Sequence, residues 1–317
     1  MADEIPAKIR LKAAIPEELQ AEVAGSQWGK VLSVTPVVMT VIATMLAGLS
    51  SSEMTRAQYE RSMAAQRQSK AGDQWSFFQA KRLRSITVRT SLDTLQLTQP
   101  TRPLDPASLR AALAGQPGLA LLDTPAGQAA LTALREGALP KAAGAALPDG
   151  FRAALTALEQ ERSEAELSAL LASLPSAELD EGLRVAKANV LAFDGQLKPL
   201  TQAIDAWEKQ LVAAGLDLRR DYVAARMSYS ALRFEAEARA NQVVANAYEL
   251  QVRASNNAAE RHQRRSGRFF YGMLAAQLAV IVSTFAMAAR KRNLLWSIAA
   301  VAGCLAVAFT VYVLVYV

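Results

Sequence analysis

The 317-residue chain carries few side chains able to do catalytic chemistry. It holds one histidine, His262, and one cysteine, Cys304. His262 stands among Arg261, Arg264 and Arg265, with no second histidine to complete a metal site, so the expected reading is a solvated helix residue near lipid headgroups. There is no Cys pair, no HExxH, no glycine-rich phosphate loop and no nucleophile elbow. The acid pairs Glu17/Glu18 and Asp180/Glu181 are of the kind that complements the dipole at a helix start. These residues predict a protein that is not an enzyme and takes no cofactor or metal.

What remains is chemistry of contact. The stretch "SKAGDQWSFFQAKRLR", residues 69–84, sets Trp75, Phe77 and Phe78 beside Lys81, Arg82 and Arg84. On a helix, Trp75, Phe78 and Arg82 share one face, while Phe77, Lys81 and Arg84 point elsewhere. The first face is expected to bury against a neighbouring helix. The second is left for another subunit, an acidic partner or lipid headgroups, and both packing and partner contact stay open for Asp73, Gln74, Trp75, Phe77, Phe78 and Lys81. A second polar feature is Gln277, the one strongly polar residue of its apolar run. An amide in hydrocarbon seeks a partner, and Thr40 or Thr44, one turn apart, is the expected acceptor. Small residues at four-residue spacing, Ala275/Ala279/Ser283 and Ala299/Gly303, allow close helix approach.

The elements that must position these residues follow from where the 51% hydrophobic fraction is concentrated. Val31 to Ser50, Phe269 to Ala289 and Leu294 to Val317 are uncharged apolar runs about long enough to cross a hydrocarbon core of about 30 Å as helices. A cleaved signal peptide fits the first run poorly, because thirty mostly polar residues precede it. Trp28, Tyr271, Trp296 and Tyr316 lie near the ends of the runs, where amphipathic rings favour the headgroup level. Cys304 lies inside the third run and does not report the redox compartment.

Between the first two spans composition shifts twice. Residues 51–99 lack proline inside the helical pattern and read as a helix continuing from the first span. Residues 100–199 hold nine prolines and read as short helices, with Asp105 before Pro106 as a start and Gly137 as a stop. Residues 200–268 carry an apolar stripe at Leu218, Tyr222, Ala225, Tyr229, Leu232 and Ala236, resumed at Val243, Ala247 and Leu250. The stripe is the expected partner for the face of Trp75 and Phe78. The near repeat "AALTALRE" (129–136) and "AALTALEQ" (153–160) fits either two stacked helical units or Ala/Leu bias.

The expected organisation is an N-terminal tail with a short amphipathic helix (1–30), a first span (31–50), an ascending helix (51–99) and a proline-punctuated helical insertion (100–199). A long returning helix (200–268), a second span (269–289), a basic turn (290–293) and a third span (294–317) complete it. The fold class is thus an all-α membrane protein: three transmembrane helices, a long antiparallel, coiled-coil-like hairpin, and a helical insertion at the hairpin's tip.

The motif of residues 69–84, followed by "RHQRRSGRFFYGMLAAQLAVIVSTFAMAARKRNLLW", resembles the bacterial membrane family known as domain of unknown function 4337. The resemblance covers about residues 25–98 and 205–317. It implies one N-terminal span, a motif-bearing helix, an antiparallel return and two closing spans joined by a basic turn, but no activity. Residues 100–199 look like an insertion into that pattern.

Charge sets the expected topology. Lys8, Arg10, Lys12 and Lys30, with Arg290, Lys291 and Arg292 in the turn, place the N-terminus and turn in the cytoplasm and residues 51–268 outside. Arg56, Arg61, Arg261, Arg264, Arg265 and Arg268 lie close to the membrane on the other side and pull against that assignment. Arg264, Arg265, Arg268, Arg290, Lys291 and Arg292 are expected at anionic headgroups, which accounts for the net charge of +6 better than nucleic acid does. The functional expectation is a non-enzymatic scaffold or accessory subunit of the bacterial inner membrane, forming a homo-oligomer or holding a larger membrane complex. The alternative is a subunit of an oligomeric transport or channel assembly.

Overall fold

A computed structural model describes residues 27–140, 144–288 and 292–316. The tail and its expected amphipathic helix lie almost wholly outside the described residues, as do Arg290 and Lys291. Among the described residues all regular structure is helical. The long helix α1 (Gln27–Thr98) is followed by five short helices and then by the long helices α7 (Ser176–Gln210), α8 (Leu216–Ala288) and α9 (Arg292–Tyr316). The short helices are α2 (Pro106–Ala112), α3 (Gly118–Leu122), α4 (Pro125–Glu136), α5 (Asp149–Glu159) and α6 (Glu164–Ser173). α1, α8 and α9 are long and apolar enough to cross a membrane.

The chain divides into two units, residues 1–59 with 258–317, and residues 60–257. In the first, small residues point inward. Ala276, Ala279, Ser283 and Ala286 of α8 and Ala299 and Ala306 of α9 are fully buried. Ala43 of α1 clusters with Ala276 and Ala306, and Leu46 with Phe269 and Val313. At Gly303 an added Cβ would stand 2.5 Å from Met39 Cε and 2.8 Å from its Sδ, so the Met39 side chain of α1 lies directly over this glycine of α9. Large apolar side chains face outward, among them Val37, Met45, Phe285 and Leu305.

In the second unit the short helices begin and end as local chemistry dictates. The Asp105 carboxylate accepts from the backbone N–H of Ala107 and Ser108 at the start of α2, with Pro106 in the first turn. Those bonds, the Ser108 hydroxyl foremost, hold its pKa below the ordinary aspartate value. Thr124 caps α4 the same way before Pro125, and Gly137, at φ 63°, ends α4 in the left-handed conformation that glycine adopts without strain. Two cores lean on α7 and α8. α2, α3 and α4 bury Leu109, Leu113, Leu122 and Leu134 around Trp207, Tyr222 and Tyr229. α5 and α6 bury Phe151, Leu155, Leu167 and Leu171 against Leu179 and Leu250. The two copies of the near repeat fall in α4 and α5 and bury equivalent alanines, Ala130 with Ala133 and Ala154 with Ala157.

One boundary differs from the sequence reading. The break expected at 199/200 is absent: α7 runs through Pro199, and the chain turns instead at the 3-10 segment Leu211–Ala213. Proline removes one helical hydrogen bond, but Leu197, Leu200, Ala203, Ile204 and Trp207 are all buried along the same helix, and their packing outweighs that loss. Residues 176–199 thus belong to a long helix, not to the run of short ones.

Candidate functional site

Within residues 60–257, α1 and α8 are joined by polar bonds that run one way. Arg67 Nη1 donates to Ser255 Oγ (2.5 Å), Trp75 Nε1 to Glu249 Oε1 (2.6 Å), and Lys81 Nζ to Glu237 Oε2. Ser85 Oγ donates to the Ala231 carbonyl (2.8 Å) and Arg89 Nη2 to Glu235 Oε2 (3.3 Å). From Arg67 to Ser85 the α8 partners fall in number as the α1 residues rise, so the two segments pair antiparallel in this unit, while Arg89 reaches back to Glu235, one turn from the partner of Ser85. In all five bonds the donor is on α1 and the acceptor on α8. Sliding one helix by a turn would carry Lys81 from Glu237 to Arg233 or Asn241 and lose the ion pair, so the pair favours this register.

The centre of the seam is a desolvated charge cluster. Glu237 receives Lys81 from α1 and is ion-paired, without a hydrogen bond, to Arg233 Nε of its own helix at 3.3 Å, with the three side chains only 10–19% exposed. Arg233 also donates to Thr201 Oγ1 (3.0 Å), which lies 3.0 Å from the Tyr229 hydroxyl, tying α7 to the same cluster. The Lys81 ammonium stands 5.2 Å from the Phe77 ring centroid and 5.4 Å from that of Phe234, within cation–π range. Asp194 is exposed as a residue, but partial desolvation of its carboxyl, then the charge of Glu237, raise its pKa above the ordinary aspartate value. Burial likewise pushes up the hydroxyls of Tyr222 and Tyr229, which remain protonated; Tyr222 donates to the Ile204 carbonyl at 2.6 Å.

The expected motif faces are redistributed. Lys81, expected on the outer face, lies in the seam, and Arg82, expected on the packed face, is exposed with its guanidinium 6.0 Å from the Phe78 ring. Trp75 is half-buried against Glu249 and sits edge-on to Phe78, 5.4 Å between centroids. It does not meet the tyrosine stripe, because Tyr222 and Tyr229 are taken up by α7 and the short helices. α8 packs against α7 and the short helices as well as α1, where the stripe suggested one neighbour. Gln74 is partly buried, whereas Asp73, Phe77 and Arg84 share an exposed face of α1, with Phe77 49% exposed. An apolar cavity of about 570 Å³ opens between α7 and α8, lined by Val190, Phe193, Leu232, Ala236 and Val243 among others.

In the other unit, two sequence expectations are overturned. Thr40 and Thr44 hydroxyls donate to the carbonyls four residues back, Pro36 (2.8 Å) and Thr40 (2.9 Å), and Gln277 is exposed, so no amide–threonine bond forms. Back-bonding uses only the donor of each hydroxyl; the bond is absent because Gln277 lies on an exposed face of α8. His262 is partly buried and engaged, not a freely solvated residue: its Nδ1 lies 2.6 Å from Glu53 Oε2, with Glu53 8% exposed. Ser50 and Ser266 bond each other's backbone carbonyls one turn nearer the apolar segments (3.0 and 2.8 Å). Sequence reasoning missed the Glu53–His262 pair: Glu53 lies three residues after the first apolar run and His262 seven before the second, so spacing gave no signal for it. Arg264 pairs with Glu260 (3.0 Å), and Arg268 lies 5.8 Å from the Tyr312 ring centroid. Arg265 is partly buried; Arg292 opens α9, and its side chain lies outside the described residues. Among the described residues no group of three His, Cys, Asp or Glu is placed to hold a metal ion.

These features define an all-helical protein with three helices apolar enough to span a membrane and a charge-matched seam between two of them. Residues 28–115 match the family described as Domain of unknown function (DUF4337), the family that the motif resembles. The match runs beyond the motif helix into α2, while residues 205–317 lie outside it. No curated protein and no solved structure matches the chain.

Proposed function

We propose that this is an integral membrane scaffold of the bacterial inner membrane, with no catalytic role. In this reading α1, α8 and α9 supply three spans. Residues 60–257 form a helical hairpin of α1 and α8, reinforced by α7, that presents a surface to a homo-oligomer or a larger membrane complex. The N-terminus and the 290–293 turn are cytoplasmic and the hairpin is outside.

The observation that carries the reading is the reversed polarity of packing in the three apolar segments. Alanine, glycine and serine face inward, while Val37, Met45, Phe285 and Leu305, each 62–64% exposed, face outward. In water such a surface would drive association, whereas in hydrocarbon it is the favoured arrangement. The contact surface is read from α1, where Trp75 and Lys81 are engaged internally but Asp73, Phe77 and Arg84 are not buried by the fold.

The test is the native mass of the protein solubilised in mild detergent, with identification of whatever accompanies it. Phe77→Ala with Arg84→Glu should lower recovery of the companion or of the oligomer without changing helix content or membrane insertion. Unchanged recovery would remove this face from the interface.

A further inference from the structure

Gln277 lies near the middle of the apolar part of α8, eight residues from Phe269 and eleven from Ala288, which places it about 12 Å along the axis from the nearer end. It is exposed, with no hydrogen-bond partner among the described residues. Its neighbours on the same face, Phe270, Leu274, Ile281 and Phe285, are 43–64% exposed, whereas Ala276, Ala279 and Ser283 bury the opposite side. A glutamine side chain reaches too short a distance to raise its amide to the headgroups from that depth. An unpaired amide in hydrocarbon carries a desolvation penalty that only another polar group can relieve.

We propose that the Gln277 face of α8 is a self-association surface within the apolar segments, in addition to the α1 face above, with the Gln277 amides of neighbouring copies bonded to one another. The inference rests on the membrane reading above. Two arguments select a second copy as occupant. Copies inserted with one orientation hold Gln277 at one depth, so a cyclic assembly packed through this face brings the residues together. The carboxamide is also self-complementary, one donor group and one acceptor, so two copies satisfy each other without any further polar residue. The large apolar residues above and below supply the remaining contact.

The experiment uses two differently tagged full-length copies, co-expressed and isolated in mild detergent. Gln277→Leu, which keeps size and suits hydrocarbon, should reduce co-isolation with the equilibrium shifted roughly tenfold, as expected for loss of two interhelical amide bonds. Gln277→Asn should retain most of it. With Cys304→Ser to remove the native thiol, Gln277→Cys should give an oxidant-induced cross-link between copies in membranes. Full co-isolation of Gln277→Leu, or no cross-link from Gln277→Cys, would overturn the proposal while leaving the scaffold reading intact. Extraction of the unaltered protein by alkaline carbonate would overturn both.

Discussion

The Lys81 ammonium on α1 rests on the Glu237 carboxylate of α8, 156 positions away, and both side chains are less than one-fifth exposed. Removing one partner leaves a desolvated charge, which costs far more than the net worth of the pair. Lys81→Met should therefore destabilise the fold by roughly 2–3 kcal/mol, the low end for a buried pair because Arg233 still faces Glu237. Lys81→Met with Glu237→Gln should recover part of that loss, the remainder reflecting Arg233 left without its carboxylate. Thermal unfolding of the four proteins in detergent, followed by circular dichroism, gives the coupling; additive losses would show that the two residues do not act as a pair.

Asp194 is a liability of the same cluster. Its raised pKa means that the folded state disfavours the carboxylate, so the penalty grows as pH rises through the ordinary aspartate range and is complete above the folded value. Asp194→Asn should raise the unfolding midpoint at pH 7 and leave it unchanged near pH 3, where both states are protonated. A gain that is equal at both pH values would point to a cause other than ionisation.

Gly182 on α7 faces Phe151 so closely that an added Cβ would lie 2.3 Å from two ring carbons, and the ring is fully buried. With nowhere for the ring to move, Gly182→Ala should cost about 1–3 kcal/mol through overpacking. Phe151→Leu in the same chain should restore part of it. Protease resistance of α5 and α6 is the direct readout.

Glu53 and His262 form a polar contact between α1 and α8, one turn from the Ser50–Ser266 bonds beside the apolar segments. Glu53→Ala and His262→Ala should each destabilise the unit, and the double variant should lose less than the two losses added, by on the order of 1 kcal/mol. Strictly additive midpoints would count against the contact.

The helices and their ends were legible in sequence because their causes are local. Uncharged runs long enough for a bilayer, the Asp105–Pro106 start and the Gly137 stop depend on neighbouring residues, and each appears in the structure where its chemistry places it. The family match over residues 28–115 likewise follows a contiguous motif. The partners were decided elsewhere. A helical wheel shows which residues share a face, but not how many neighbours the helix has. α8 is packed by α7 and the short helices as well as by α1, so the tyrosine stripe went to the former and the Trp75 face of α1 found Glu249. Pro199 was overridden by buried side chains on either side of it, Thr40 and Thr44 donated to their own helix, and Glu53 met His262 across 209 positions. Rotation and register are set by many weak contacts made together in three dimensions, and no local run of residues encodes that sum.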